Sequence, residues 1–184
     1  MEVRRADAAW APLREPLFRS LWIAAVISYT GTWMQNVGAG WLMTQLSTSP
    51  LMVSLVQAAA AVPVFFVVLP AGALADMVDR RRLLLFTQSW MVAAAAALGV
   101  LTLVHAVTPW SLLLFTLVLG VGAVLNDPAW QAITPEVVSP RQHASAVALN
   151  SAGFNVARAV GPALGGMVVA VAGSGWSLDR KSVV

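Results

Sequence analysis

Long apolar runs separated by short polar segments make up most of the chain. Each run exceeds the roughly 18 to 20 residues that a helix needs to cross the hydrocarbon core of a bilayer. Backbone groups find no water there, so such runs favour helices, which pair those groups internally. The pattern predicts five membrane helices, at about residues 21–46, 51–75, 83–105, 110–133 and 144–172.

Polar segments flank this predicted bundle at both ends. Residues 1–20 are predicted to form an N-terminal segment outside the bilayer. Residues 173–184 include Asp179, Arg180 and Lys181, and no sixth apolar run follows them. We therefore expect residues 173–184 to be a tail outside the bundle, produced by truncation or a frameshift.

Arginines occur at alternate ends of the predicted helices. Several precede the first helix, a run at residues 80–82 lies between the second and third, and Arg141 lies between the fourth and fifth. The other two connections carry no basic residue. Because cytoplasmic loops are enriched in Lys and Arg, this pattern predicts a cytoplasmic N-terminus.

The composition agrees with a membrane protein and argues against other classes. Hydrophobic residues make up 59% of the chain and charged residues 10%, which is too little charge to coat a soluble globule. The net charge of +3 comes from bases scattered beside apolar runs, unlike a nucleic-acid-binding surface. With no cysteine and only two separate histidines, no metal or other cofactor is expected. No predicted helix combines a nucleophile with a base, so we do not expect an enzyme.

The connection between the second and third predicted helices carries the most specific motif, GALADMVDRRR at residues 72–82. Its glycine permits close backbone approach. Its aspartate can bind arginines or a helix N-terminus, forming a latch that one conformation makes and another breaks. The alternative is that these charges only set the topology. The candidate gating residues are Gly72, Leu74, Asp76, Arg80 and Arg81.

Small residues recur every four positions along the fifth predicted helix and overlap the sequence GPALGG. Such a stripe lets a second helix pack at short range, so this face is predicted to be a helix interface. Unspecific packing between membrane helices is the alternative to a role in transport. The stripe and the GPALGG sequence comprise Gly153, Ala157, Gly161, Pro162, Gly165 and Gly166.

Several polar side chains lie inside predicted helices. An arginine midway along a membrane helix costs at least about 2.5 to 3.5 kcal/mol, so Arg158 is expected to face a cavity, a carboxylate or a headgroup. Asp127 is its nearest candidate partner in the sequence. Static pairing and interhelical hydrogen bonding are the alternatives to a functional role. The candidates for a substrate or proton pathway are Gln35, Asn36, Asn126, Asp127, Asn155 and Arg158.

These motifs resemble signatures of the major facilitator superfamily. The segment at 72–82 resembles the family's loop pattern G-x-L-A-D-R-x-G-R-R, with Met77 and Asp79 in place of the usual Arg and Gly. The GPALGG sequence resembles the antiporter motif of helix 5, G-P-x-x-G-G, with Ala148 and Ala157 in place of upstream glycines. The chain also resembles a bacterial branch of this family that includes siderophore exporters and macrolide efflux proteins. The resemblance lies at residues 31–36, 126–128 and 155–162.

The resemblance implies an all-α polytopic membrane bundle, supplying five helices of the N-terminal six-helix half of a transporter. It implies secondary active export of a drug or siderophore across the bacterial plasma (inner) membrane by proton antiport. The implied partners are the lipid bilayer, the small-molecule substrate, protons, and the C-terminal half or another copy of the chain. A non-transporting membrane scaffold or assembly partner is the alternative, because the small-residue stripe alone would suit it.

Overall fold

The computed structural model describes the backbone of residues 9–181 and the side chains of residues 9–74 and 77–171. Within these residues no strand occurs, and the predicted all-α bundle is confirmed. Single 3-10 turns, Ala11–Arg14 and Pro140–Gln142, precede the first and last helices. The α-helices of the described chain are α1 (Pro16–Leu46), α2 (Pro50–Met77), α3 (Arg80–Leu103), α4 (Pro109–Val137) and α5 (His143–Lys181).

Caps and prolines set several helix ends. Most helices extend beyond the apolar spans read from the sequence, but α3 ends at Leu103, before the end predicted near residue 105. At the start of α4, Ser111 N–H donates to Thr108 Oγ1 (3.2 Å) and Thr108 N–H donates to Ser111 Oγ (2.9 Å). Pro109 takes the first helical position, where a missing N–H costs nothing. α5 runs to Lys181, past the end predicted near residue 172, and no proline interrupts that extension.

α1 differs from the other four described helices in its apolar composition. It is long enough to cross a bilayer, yet by apolar composition the candidate spans among the described residues lie in α2 to α5. Polar side chains along α1 lower its hydropathy, and three of them, Ser20, Thr30 and Thr32, donate to carbonyl oxygens of α1 itself. These side chains are Ser20, Ser28, Tyr29, Thr30, Thr32, Gln35, Asn36, Thr44 and Gln45. The candidate spans are Pro50–Leu74, Arg80–Leu103, Pro109–Val137 and Pro140–Val171.

One compact unit, Leu42–His143, contains α2, α3 and α4. Within it, α4 packs against both of the other helices. α3 and α4 run antiparallel, because Arg80 near the start of α3 contacts Glu136 near the end of α4, while Gln88 contacts Asn126. The connections on one side of this helix pair therefore lie close together.

Two glycines bring the backbone of α4 close to its neighbours. A β-carbon on Gly122 would lie 2.7 Å from Met91 Cγ on α3, and one on Gly120 would lie 3.0 Å from Pro63 Cγ on α2. Pro63 lacks an N–H, so the carbonyl of Ala59 loses its intrahelical donor. The Gly120 β-carbon position is 3.6 Å from that oxygen, so α4 crosses α2 where the proline interrupts its hydrogen bonds.

The other compact unit combines most of α1 with α5. The Trp22 indole N–H donates to the Leu149 carbonyl oxygen at 2.9 Å. Further along both helices, the Gly165 β-carbon position lies 2.9 Å from the Met34 carbonyl oxygen. Rising residue numbers in α1 meet rising numbers in α5, so the two helices run parallel. This direction is expected for the first and fifth helices of a chain that crosses a bilayer alternately.

Candidate functional site

The short connection between α2 and α3 is built around an aspartate cap. Val78 N–H donates to the Leu74 carbonyl oxygen at 3.0 Å and closes α2. Asp79 Oδ1 then accepts the Arg82 backbone N–H at 2.9 Å and caps α3. The departure from the family's glycine at position 79 therefore places a capping side chain where the chain turns.

The predicted gating residues behave differently from one another. Gly72 lies inside α2, and no heavy atom of the described residues is within 4 Å of the position its β-carbon would take. The close backbone approach expected from this glycine is therefore not made within the described part of the chain. Leu74 contributes its carbonyl to the end of α2, as above. The side chain of Asp76 lies outside the described residues.

Arg80 joins the start of α3 to the last turns of α4. Its Nη1 donates to the Ala132 carbonyl oxygen at 3.2 Å and also pairs with Glu136 Oε1. We call this contact of Arg80 with Glu136 the α3–α4 latch. The side chains of Arg80 and Glu136 are 34% and 57% exposed, and exposed ion pairs contribute only about 0 to 1 kcal/mol to stability. The latch therefore connects the start of α3 to the end of α4 while costing little free energy to open. Arg81, the next residue, is exposed.

Sequence reasoning did not select Glu136 or the capping role of Asp79. A signal for Glu136 was present, because alternate crossing puts the end of α4 and the start of α3 on the same side of the bilayer. An acidic residue at the first and an arginine run at the second can then form an ion pair. The pairing itself required knowing that α3 and α4 are neighbours.

Asn126, a predicted pathway residue, lies in a buried polar network between α3 and α4. Its Oδ1 accepts the Gln88 side-chain N–H at 3.2 Å and lies 3.3 Å from the Thr87 hydroxyl. Thr87 is 1% exposed and Asn126 8%. The Thr87 proton is also within reach of the Leu83 carbonyl oxygen at 3.0 Å. Asp127, the next residue, is exposed on α4.

Replacing Asn126 with leucine is expected to lower the free energy of unfolding by about 0.5 to 2 kcal/mol, since the Gln88 amide loses its acceptor. Thr87 keeps its carbonyl acceptor and adds little to that loss. Titration with sodium dodecyl sulfate in mixed micelles, followed by circular dichroism, measures the change. Combining Asn126→Leu with Gln88→Leu removes both partners and should recover most of the loss. A double variant as unstable as the sum of the single ones would contradict this account.

The glycines of the GPALGG sequence bring α5 onto α1. A β-carbon on Gly161 would lie 2.5 Å from Trp33 Cβ and 3.0 Å from the Thr30 carbonyl oxygen. One on Gly165 would lie 2.9 Å from the Met34 carbonyl oxygen. These neighbours are backbone atoms or the first atom of a side chain, so they cannot swing aside. Both positions therefore require glycine.

The other residues of the stripe divide into two groups. A β-carbon on Gly153 would lie 2.8 Å from Val26 Cγ2, and Ala157 is fully buried. Gly166, in contrast, has no described heavy atom within 4 Å of its β-carbon position. Pro162 lies inside α5 and removes the N–H that would otherwise bond one turn earlier. The motif is therefore tightly packed on one face only.

Arg158 and three aromatic side chains form a cluster on the same helix pair. The Arg158 guanidinium carbon lies over the Trp33 ring, 5.9 Å from its centroid, which is cation–π geometry. Phe154 contacts both Tyr29 and Trp33 edge to face, with centroids 5.3 and 6.2 Å apart. We call these four residues the Arg158 cluster. Arg158 itself is exposed.

The remaining predicted pathway residues of this unit have few partners. Asn155 Nδ2 donates to the Ser151 carbonyl oxygen at 2.8 Å, one turn earlier on α5. Gln35 and Asn36 are half-buried on α1 and make no side-chain hydrogen bond within the described residues. No group of three His, Cys, Asp or Glu side chains in the described part of the chain is placed to hold a metal ion.

Comparison with known families decides the classification. The sequence profile of the family described as transmembrane secretion effector, a major facilitator family, matches residues 7–183. The chain belongs to the major facilitator superfamily. The predicted family is thereby confirmed, and with the apolar helices of the fold it makes the chain a multi-pass membrane protein.

Relatives of this major facilitator chain include named transporters. The staphyloferrin A transporter of Staphylococcus aureus is 28% identical over 149 residues, which is 80% of this chain and 38% of the relative. The multidrug efflux pump Tap of Mycolicibacterium fortuitum is 31% identical over 168 residues, 87% of this chain and 40% of the relative. The chain thus spans about two fifths of the length of these relatives. No solved structure matches it significantly.

Proposed function

We propose that the protein acts as a secondary active exporter of a drug or siderophore, driven by proton antiport across the bacterial inner membrane. The observation that carries this proposal is the match of residues 7–183 to a major facilitator family. The names of two relatives, a staphyloferrin A transporter and a multidrug efflux pump, support these substrate classes. The likeness of GPALGG to the family's antiporter motif supports export.

The two intramembrane charges are assigned different tasks by their chemistry. A guanidinium offers N–H donors and no acceptor, so Arg158 suits binding of an anionic group. A carboxylate can gain and lose a proton, and Asp127 presents one on the exposed surface of α4. Asp127 is therefore the proposed proton carrier, and Arg158 is left for the substrate.

The α3–α4 latch is the proposed gate element on the cytoplasmic side. The arginines at alternate helix ends support this side, because the same pattern favours a cytoplasmic N-terminus. Arg80 and Glu136 are exposed enough to separate at low cost. A weak contact of this kind suits a transporter that must leave each of its two states many times per second.

Reconstitution of the protein in proteoliposomes tests the proposal, with ethidium as a cationic drug probe and staphyloferrin A as an anionic siderophore probe. An internal pH dye should report proton movement when a probe is transported. Asp127→Asn is expected to reduce this coupled movement at least about tenfold, whereas Asp127→Glu keeps a titratable group and should retain part of it. Transport that ignores collapse of the proton gradient would rule out antiport. Insertion without movement of either probe would favour the scaffold alternative.

A further inference from the structure

Arg158 carries a positive charge inside an apolar helix and has no carboxylate partner among the described residues of its own unit. Within the described residues of that unit it makes no ion pair, and its contact is the cation–π contact with Trp33. An aromatic face attracts the guanidinium but accepts none of its N–H donors. The planar fork of donors that favours carboxylates is therefore still available.

The position of Arg158 along α5 favours a ligand inside the bundle over a lipid headgroup. Arg158 lies about 27 Å along the helix axis from Pro140 and about 20 Å from Val171, the ends of its candidate span. Long basic side chains reach the headgroups most readily from near helix ends. At about 48 Å the span is longer than the roughly 30 Å hydrocarbon core, so a headgroup is the second source of an oxyanion that the experiment must separate.

The surroundings of Arg158 add selectivity for an apolar body. Tyr29, Trp33 and Phe154 meet edge to face and form one aromatic surface beside the guanidinium. Asn155, adjacent to Phe154, uses one amide N–H on Ser151, which leaves a second N–H and its oxygen. A cation next to this aromatic surface matches a ligand that carries both a carboxylate-like pair of oxygens and a flat or apolar body.

We infer that the Arg158 cluster binds the carboxylate of an organic anion, with the apolar part of that anion against the three aromatic rings. Organic anions, in preference to organic cations, are then the substrate class of the exporter. Calling the bound anion a substrate rests on the proposed function, whereas its binding to the Arg158 cluster requires neither protons nor transport. Arg158 forms the charged contact and Trp33 holds the guanidinium in place.

Equilibrium dialysis of the protein in phosphatidylcholine nanodiscs tests the site with three probes of one shape. These are naphthoate, neutral naphthamide and naphthylmethylammonium. Naphthoate should bind most tightly, and Arg158→Gln should weaken it about ten- to hundredfold, as expected for a lost charged hydrogen bond. Arg158→Lys keeps the charge but loses the fork, so its affinity should be intermediate. Arg141→Gln, which changes an exposed arginine outside the cluster and outside the gating residues, should leave affinity unchanged.

Three other outcomes of these measurements would count against the inference. Equal naphthoate affinity in the protein and in Arg158→Gln would overturn it, as would tighter binding of the ammonium probe. Nanodiscs containing phosphatidylglycerol separate the two sources of oxyanion. If that lipid displaces naphthoate from the native protein, a headgroup fills the site and the substrate assignment fails. Retained binding without proton-coupled flux in proteoliposomes would instead refute only the proposed function.

Discussion

Replacing Gly161 with alanine is expected to separate α1 from α5 and to leave little folded protein, whereas alanine at Gly166 should be tolerated. The added β-carbon at Gly161 would lie 2.5 Å from Trp33 Cβ and 3.0 Å from the Thr30 carbonyl oxygen. Overpacking usually costs about 1 to 3 kcal/mol and occasionally more. The upper end of this range applies here, because the neighbours are a backbone oxygen and the first side-chain atom of Trp33, which cannot move without moving α1.

Gly166 provides a matched control for this change. It lies in the same motif and helix, and its β-carbon position meets no described heavy atom within 4 Å. The two variants therefore share the gain in helix propensity that alanine brings over glycine, about 1 kcal/mol. Size-exclusion chromatography of detergent extracts after stepwise heating measures the folded fraction. An apparent melting temperature for Gly161→Ala equal to that of Gly166→Ala would contradict the packing described here.

Reversing the charge of Arg80 is expected to abolish most transport while changing stability little. Arg80→Glu would place two carboxylates where the α3–α4 latch now holds opposite charges, so the closed contact is lost. Because the pair is exposed, the free energy of unfolding should change by only about 1 kcal/mol. The rate of probe efflux from proteoliposomes should fall about tenfold or more, which separates a gating role from a structural one.

The reciprocal variant tests whether the contact itself matters. Arg80→Glu combined with Glu136→Arg restores opposite charges and should recover part of the efflux. Recovery should be incomplete, because the bond from Arg80 to the Ala132 carbonyl oxygen is not rebuilt. Arg82→Glu changes the same net charge at an exposed neighbour that is not among the candidate gating residues, and it should be nearly silent. Equal loss in both single variants, or no recovery in the double variant, would refute the latch.

The membrane class and the helices could be predicted from the sequence because both depend on the chain's one-dimensional pattern of apolar residues. The spacing of Gly153, Gly161 and Gly165 likewise predicted a close helix interface, since a period near four residues marks one helical face. The partner of that face was not predictable. It is α1, whose contact through Trp22 and Leu149 joins residues 127 positions apart.

The missed residues share one physical cause. Glu136, Thr87 and Gln88 act through partners on a different helix, and periodicity along one helix says nothing about which helix lies beside it. In the sequence, Asp79 is visible only as a departure from the family's glycine. Its capping role depends on where α3 starts, because its side chain accepts the backbone N–H of Arg82 in the first turn. Sequence patterns therefore located the candidate charges, and tertiary neighbours supplied their partners.

The parallel pairing of α1 with α5 has a consequence for biosynthesis. α1 leaves the ribosome first, and Leu149, which accepts the Trp22 hydrogen bond, follows 127 positions later. At about 5 to 20 residues per second, that delay is roughly 6 to 25 s. During this interval α1 must be held by the insertion machinery or by lipid headgroups. A nascent chain arrested before α5 should therefore expose α1 to proteases that leave the completed protein intact.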